Sequence, residues 1–129
     1  QGPEITFTTI EDFGFSTHIT GLVDDASFYK AWLNPGEFSA VHHVAFSLDT
    51  PPWLPGAVMI PVAGERQTEQ PYLMDFEHTF HLPGMTPGKH ILYFQAWDTD
   101  PAGEQGQAGI INAIEINVPV FTFIPLLIR

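Results

Sequence analysis

The acidic loop around residue 100 carries the residue types best suited to chemistry. Asp98, Asp100 and Glu104 cluster there beside a flexible Gly, and carboxylate oxygens are the ligands that calcium prefers. The loop lacks the regular donor spacing of a calcium motif, because Ala102 occupies a position where a donor is needed. Two interpretations therefore stay open, calcium binding by these acids or plain turn formation. The acidic pair Asp24-Asp25 could lie at either end of the fold.

Histidine is the second residue type that could bind a metal, and the chain contains six. His42 and His43 are adjacent, so on a strand their side chains should point to opposite faces, and His78 and His81 should also oppose each other. A shared ion would need ligands from different strands, such as His78 with His90. We therefore expect ordinary packed or surface histidines.

Catalytic motifs are missing from the sequence. It has no Cys and no Gly-x-Ser-x-Gly motif, and the Gly-rich stretch 103–109 lacks the Lys of a phosphate-binding loop. The alternation of residues 73–82 puts Asp75 and Glu77 together on an exposed face, where carboxylates favour solubility over a glycosidase pair. We expect that the protein is not an enzyme.

Three aromatic residues are candidates for ligand binding. Trp53 lies in the proline-rich loop 50–56, and the alternation of residues 90–97 turns Tyr93 and Trp97 outward. Such rings stack on sugars in carbohydrate-binding sandwiches, but a loop aromatic can equally cover the end of a core. A glycan ligand at Trp53, Tyr93 and Trp97 is thus one expected function.

The elements that must position these residues are short strands. Alternation of apolar and polar residues is clearest in 73–82 and 90–97, and no segment sustains a helical period. Pro87-Gly88 and the Asp-rich stretch after Trp97 have turn chemistry. The further predicted strands are 4–10, 15–23, 27–33, 39–49, 57–62 and 110–118, with solvated loops at 64–71 and 103–109. About eight or nine such strands favour an all-β antiparallel sandwich.

The stretch that starts at Pro87 also carries a family resemblance. The matching positions are Pro87, Gly88, His90, Leu92, Phe94, Ala96 and Asp98. They resemble the E–F corner and F strand of fibronectin type III and other immunoglobulin-like domains, especially those of secreted microbial proteins, with His90 where such domains usually carry a tyrosine. The resemblance implies an immunoglobulin-like sandwich and a secreted, extracellular location, and it implies no activity.

Composition excludes some partners. Four Lys and Arg against fifteen Asp and Glu give a formal charge of −11, which disfavours nucleic acid and anionic membranes. The longest apolar run, about eleven residues, is shorter than the ~20 that a membrane-spanning helix needs. A chain of 129 residues without Cys is expected to fold as one domain on its core alone.

The end of the chain is the strongest anomaly. We divide the protein into a sandwich, 1–118, and a tail, 119–129, in which only Thr122 and Arg129 are polar. The apolar residues proposed as an assembly strand are Val120, Phe121, Phe123, Ile124, Leu126, Leu127 and Ile128. Because this strand is apolar on both faces, it must dock into its own sandwich or a neighbour's. We expect a structural or adhesive subunit that forms homo-oligomers or filaments by strand addition, and the alternative is a carbohydrate-binding module of a secreted enzyme.

Overall fold

The computed structural model describes residues 2–25 and 40–121, which form nine strands. The strands are β1 (Glu4–Asp12), β2 (Ser16–Asp24), β3 (Val41–Leu48), β4 (Ile60–Pro61), β5 (Ala63–Arg66), β6 (Leu73–His81), β7 (Gly88–Thr99), β8 (Gln105–Ala108) and β9 (Asn112–Val118). The predicted strand 27–33 and the assembly residues Phe123, Ile124, Leu126, Leu127 and Ile128 lie outside the described residues.

Two antiparallel sheets make up the fold. The first has the order β1-β2-β6-β5, and the second has the order β4-β3-β7, with β8 and β9 both paired to β7. One cluster of buried apolar residues joins the sheets, with Ile19 and Phe76 from the first and Phe46 and Phe94 from the second. The prediction of an all-β sandwich is therefore confirmed.

The strongest alternation patterns predicted side-chain direction correctly. In β7, His90, Leu92, Phe94 and Ala96 are buried, and in β6 the odd-numbered positions from Asp75 to His81 are exposed. Phe94 lies at the centre of the core, where its ring centroid is 5.3 Å from Phe7, 5.7 Å from Phe46, 6.0 Å from Phe76 and 6.4 Å from Phe80.

Several boundaries differ from the predictions. Residues 63–66 and 105–108 form the edge strands β5 and β8 where solvated loops were predicted, and the predicted strand 57–62 shrinks to Ile60–Pro61. A bulge between Val41 and His43 shifts the register of β3, so Val41 is buried with Val44 and Phe46 although the predicted alternation put it on the opposite face. Leu48 keeps its predicted register with Val44 and Phe46 but is exposed at the end of the strand.

Residues 2 and 121 lie at opposite poles of the sandwich. At the N-terminal pole, Gly2 packs against the backbone of Ala108 and Gly109, which precede β9. At the C-terminal pole, β9 ends where Val118 pairs with Gly88, and Phe121 stacks on Phe15 beside the β1–β2 turn. Strands β1 and β9 therefore run in the same direction, one in each sheet.

Candidate functional site

The acidic loop after β7 uses its carboxylates mainly to build itself. Asp100 Oδ1 accepts hydrogen bonds from the backbone N–H groups of Ala102 at 2.9 Å and Glu104 at 2.8 Å. Asp98 Oδ1 accepts one from Gln107 N–H at 2.6 Å. Within residues 2–25 and 40–121, no three His, Cys, Asp or Glu side chains lie close enough to hold a metal ion together. Asp98 at the end of β7 and Asp100 and Glu104 in the following loop therefore do not converge on one point.

A different acidic pair meets at the N-terminal pole. Asp25 and Asp98 are only 3% and 7% exposed, and Asp25 Oδ1 has no hydrogen-bond partner. Burial, and then repulsion from Asp98, raise the pKa of Asp25 to about 7. Sequence reasoning placed Asp24-Asp25 only at an end of the fold. The sequence does contain a signal that Asp25 points inward, because it follows the apolar Val23 by two residues and side chains two apart on a strand share a face.

The bulge in β3 corrects the sequence argument about His42 and His43. Instead of facing opposite ways, the two rings meet with their Nδ1 atoms 2.7 Å apart, and the His43 ring also stacks on Trp97 at a centroid distance of 4.6 Å. Burial, and then the charge of His42, hold the pKa of His43 below its ordinary value. The rule of opposite faces fails here because a bulge adds a residue to one strand of the ladder.

His90 forms a clamp at the C-terminal pole. Its Nδ1–H donates to Asp49 Oδ2 at 2.6 Å and its Nε2–H donates to the Thr86 carbonyl at 2.6 Å. A carboxylate and a carbonyl only accept, so these two bonds favour the protonated ring, while Thr86 Oγ1, 3.2 Å from Nε2, is a hydroxyl that can donate to a neutral one. The bonds to Thr86 and Asp49 raise the pKa of His90 above its ordinary value. His78, which a shared ion site with His90 would have needed, packs on Phe46 and Phe80.

The backbone at Asp49 is part of this clamp. Asp49 has φ of 63°, in the left-handed region, which lets its Oδ1 accept from Ile91 N–H at 2.9 Å while its own N–H donates to the Ile91 carbonyl at 2.7 Å. Although burial alone raises the pKa of Asp49, the hydrogen bonds from Ile91 and His90 hold it below its ordinary value. The clamp thus joins the end of β3 to the start of β7.

The three predicted glycan-binding aromatics form two separate groups. Trp53 is 66% exposed and meets Tyr93 edge to face, with ring centroids 6.1 Å apart and an interplanar angle of 77°. Trp97 lies four residues further along β7, half-buried, with one ring face covered by His43. Trp53 and Tyr93 can act together, whereas Trp97 lies roughly 13 Å away along the strand.

An exposed apolar surface surrounds the point where the tail begins. Phe13 and Phe15 in and beside the β1–β2 turn are 61% and 67% exposed, Ile10 is 51% exposed, and Val120 is 73% exposed. Phe121 packs against the core and stacks on Phe15, with ring centroids 5.5 Å apart. We call Ile10, Phe13, Phe15 and Val120 the C-terminal apolar patch.

The outer part of the first sheet contains a groove. A cavity of about 460 Å³ is lined by residues from all four strands of that sheet, including Thr20, Glu65, Asp75 and Glu77. Its charged lining residues are all acidic, so it has no group that would attract an anion. The exposed positions of Asp75 and Glu77 agree with the predicted face.

Among residues 2–25 and 40–121 there is no helix with the length and apolarity required to span a membrane. The chain matches no protein-family model, and it has no significant similarity to a curated protein or to a solved structure.

Proposed function

We propose that the protein is a secreted, immunoglobulin-like structural or adhesive subunit that assembles through β-strand addition. Strand order supports the fold part of this proposal. The first sheet, β1-β2-β6-β5, has the order A-B-E-D of an immunoglobulin constant-type sheet, while β3, β7 and β9 take the positions of C, F and G. The bond from His90 to the Thr86 carbonyl also occupies the place of the corner tyrosine's bond to upstream backbone.

The C-terminal apolar patch is the observation that carries the assembly proposal. Exposure of large apolar side chains to water at the tip of a turn is unfavourable, and contiguous exposed apolar surface is typical of an interaction site. Phe13 and Phe15 are both more than half exposed although they flank Gly14, in a turn that needs no aromatic residue. The patch therefore favours a partner at this pole.

The occupant that we propose is the tail of a second copy. Phe121 is anchored on the core at the same pole, and the eight residues after it, 122–129, can reach about 26 Å when extended. Their sequence is almost wholly apolar, which matches the patch and the exposed edges of sheets. Pro119 and Pro125 restrict the tail to an edge or groove, because a proline donates no ladder hydrogen bond.

Edges that could accept this strand exist in each sheet. Within the described part of the chain, β1 pairs only with β2, and β9 pairs only with β7. Each subunit would donate its tail to one neighbour and accept the tail of another at its own sheet edge. Such a head-to-tail contact does not close on itself and therefore produces filaments. This geometry suits an extracellular structural role.

The test is removal of the tail. Full-length protein should form oligomers or filaments in light scattering and electron microscopy, and deletion of residues 120–129 should leave a folded monomer that binds a 120–129 peptide. Phe15→Ser should also weaken assembly, whereas Trp53→Ser, an equally exposed aromatic at another site, should not. A full-length protein that is strictly monomeric at high concentration would overturn the proposal.

A second candidate function is glycan binding by Trp53 and Tyr93. The observation that favours it is the exposure of Trp53 beside Tyr93, since adjacent aromatic rings are a common sugar platform. Trp97 is not included, because His43 covers one of its faces. Affinity electrophoresis in soluble polysaccharides should show retardation that Trp53→Ala removes and Trp97→Phe retains. Equal mobility with and without every polysaccharide would reject this function.

A further inference from the structure

The N-terminal pole places one buried carboxylate from each sheet between the layers. Asp25 follows β2 two residues after Val23, and Asp98 lies in β7 two residues after Ala96, and both Val23 and Ala96 are fully buried. Side chains two apart on a strand share a face, so both carboxylates point inward.

Backbone hydrogen bonds join the two positions. Asp25 N–H donates to the Tyr72 carbonyl at 2.9 Å, and Val41 N–H donates to the adjacent Pro71 carbonyl at 3.0 Å. Val41 is in turn the ladder partner of Asp98. The segment before β6 therefore links Asp25 in one sheet to the pair Val41–Asp98 in the other.

Neither buried carboxylate forms an ion pair with a described residue. Asp98 Oδ1 accepts from Gln107 N–H, but Asp25 Oδ1 has no partner although the residue is 97% buried, being 3% exposed. The positive charge of the N-terminal amine lowers the pKa of Asp25, but burial and repulsion from Asp98 outweigh it, so a proton or a cation would stabilise the pair.

We propose that Asp25 and Asp98 bind a calcium ion between the two sheets. Both side chains offer carboxylate oxygens, which are hard ligands that suit calcium and not a transition metal. Calcium takes six to eight oxygens in flexible geometry, so two carboxylates need only carbonyls and waters to complete its shell. The site differs from the one expected from sequence, because Asp100 directs its Oδ1 to its own loop. It does not depend on the assembly proposal.

The experiment is calorimetry of the full chain in calcium and in chelator at pH 7.5, with isothermal titration of calcium chloride. Calcium binds only the folded protein, so at about 100-fold above Kd it should raise Tm by about 10 °C. Asp25→Asn should abolish both the shift and the binding heat, whereas Asp100→Asn and the exposed Asp75→Asn should keep them.

A second readout separates a binding role from a merely structural one. In chelator, Asp25→Asn should melt no lower than the parent protein, because it removes the repulsion from Asp98. A lower Tm for Asp25→Asn in chelator, or an unchanged parent Tm in calcium with no binding heat, would overturn the proposal. In the latter case the pair shares a proton, and stability should fall as pH rises towards the pKa of Asp25, about 7.

Discussion

His90 forms a side-chain clamp at the corner between β6 and β7. A tyrosine hydroxyl makes one such bond to the backbone, while the His90 ring bonds to both the Thr86 carbonyl and the Asp49 carboxylate. The clamp therefore contains a group that titrates near neutral pH, whereas the corner tyrosine of immunoglobulin-like domains titrates only near pH ~10. Its partners come from two different parts of the chain, one of them 41 residues away.

The first prediction concerns the pH dependence of this clamp. The pKa of His90 is raised in the folded protein above the unfolded value of about 6.5, so its stabilising contribution is full below pH ~6.5 and is lost as pH rises through the folded pKa. The difference in free energy of unfolding between the parent and His90→Gln should therefore shrink between pH 6 and pH 9, measured by urea unfolding.

The control for this prediction is His81→Gln, since His81 is exposed on β6. Its difference from the parent should be small, because substitutions of exposed residues usually change stability by no more than about 0.5 kcal/mol. A His90→Gln difference that grows with pH would show that the ring is neutral in the folded protein.

Phe94 supports the second prediction. Because it is fully buried among four other phenylalanines, Phe94→Ala should lower the free energy of unfolding by about 3 to 5 kcal/mol. Phe80→Ala should fall in the same range, and Phe13→Ala, at an exposed turn, should change stability by less than about 0.5 kcal/mol. Equal effects of Phe94→Ala and Phe13→Ala would contradict the assigned core.

At the scale of elements, Phe76 is held between two glycines in neighbouring strands. It pairs with Gly21 of β2 on one side and with Gly64 of β5 on the other. A methyl group at Gly21 would lie 2.7 Å from the Thr6 carbonyl and even closer to the Phe76 ring, while one at Gly64 would meet the Met74 sulfur at 2.6 Å. The neighbours of Gly21, a packed ring and a backbone carbonyl, are rigid, whereas the Met74 side chain beside Gly64 is flexible.

This contrast gives the third prediction. Gly21→Ala should destabilise the protein by about 1 to 3 kcal/mol, because backbone and a packed ring must shift to admit the methyl group. Gly64→Ala should cost less, since the Met74 side chain can move at the edge of the sheet. Chemical unfolding of both variants checks the order, and a larger loss for Gly64→Ala would show that β5 is as tightly packed as β2.

The strands predicted correctly are those with one buried face. In β6 and β7 burial imposes a two-residue period on the sequence, so the strands and their faces can be predicted. The four residues of β5 are all exposed, and β8 is nearly so, so their polar sequences carry no period and resemble loops. Only pairing with β6 and β7 makes them strands.

The candidate site residues were harder to predict for a related reason. The bulge that joins His42 to His43 and the approach of Asp25 to Asp98 depend on register between strands that are distant in the sequence. Local spacing brought Asp98, Asp100 and Glu104 together in the sequence, but it could not tell that Asp98 would end β7 or that Asp100 would bond to the backbone of its own loop. Orientation across sheets is a tertiary property that a single strand's pattern does not contain.

At the scale of the whole molecule, the charge of −11 must oppose any self-association. With only four Lys and Arg in the chain, an interface between copies has few ion pairs to offset this repulsion. An apolar contact at the C-terminal patch would be insensitive to salt itself, while the repulsion is screened beyond about 10 Å at 0.1 M salt.

The fourth prediction follows from this balance. Raising sodium chloride from 20 mM to 300 mM should increase the mass of the assemblies measured by sedimentation velocity, and Phe15→Ser should remove the increase. Assembly that weakens with added salt would indicate an interface built on ion pairs instead of the apolar patch.

The parallel course of β1 and β9 has a mechanical consequence. Since residues 2 and 121 lie at opposite poles, a force that pulls them apart acts along both strands and loads the β1–β2 and β7–β9 ladders in shear. In shear, the hydrogen bonds of a ladder share the load and must break together, whereas in peeling they break one at a time. A chain of such subunits, linked pole to pole, would therefore resist tension along the direction in which its strands are strongest.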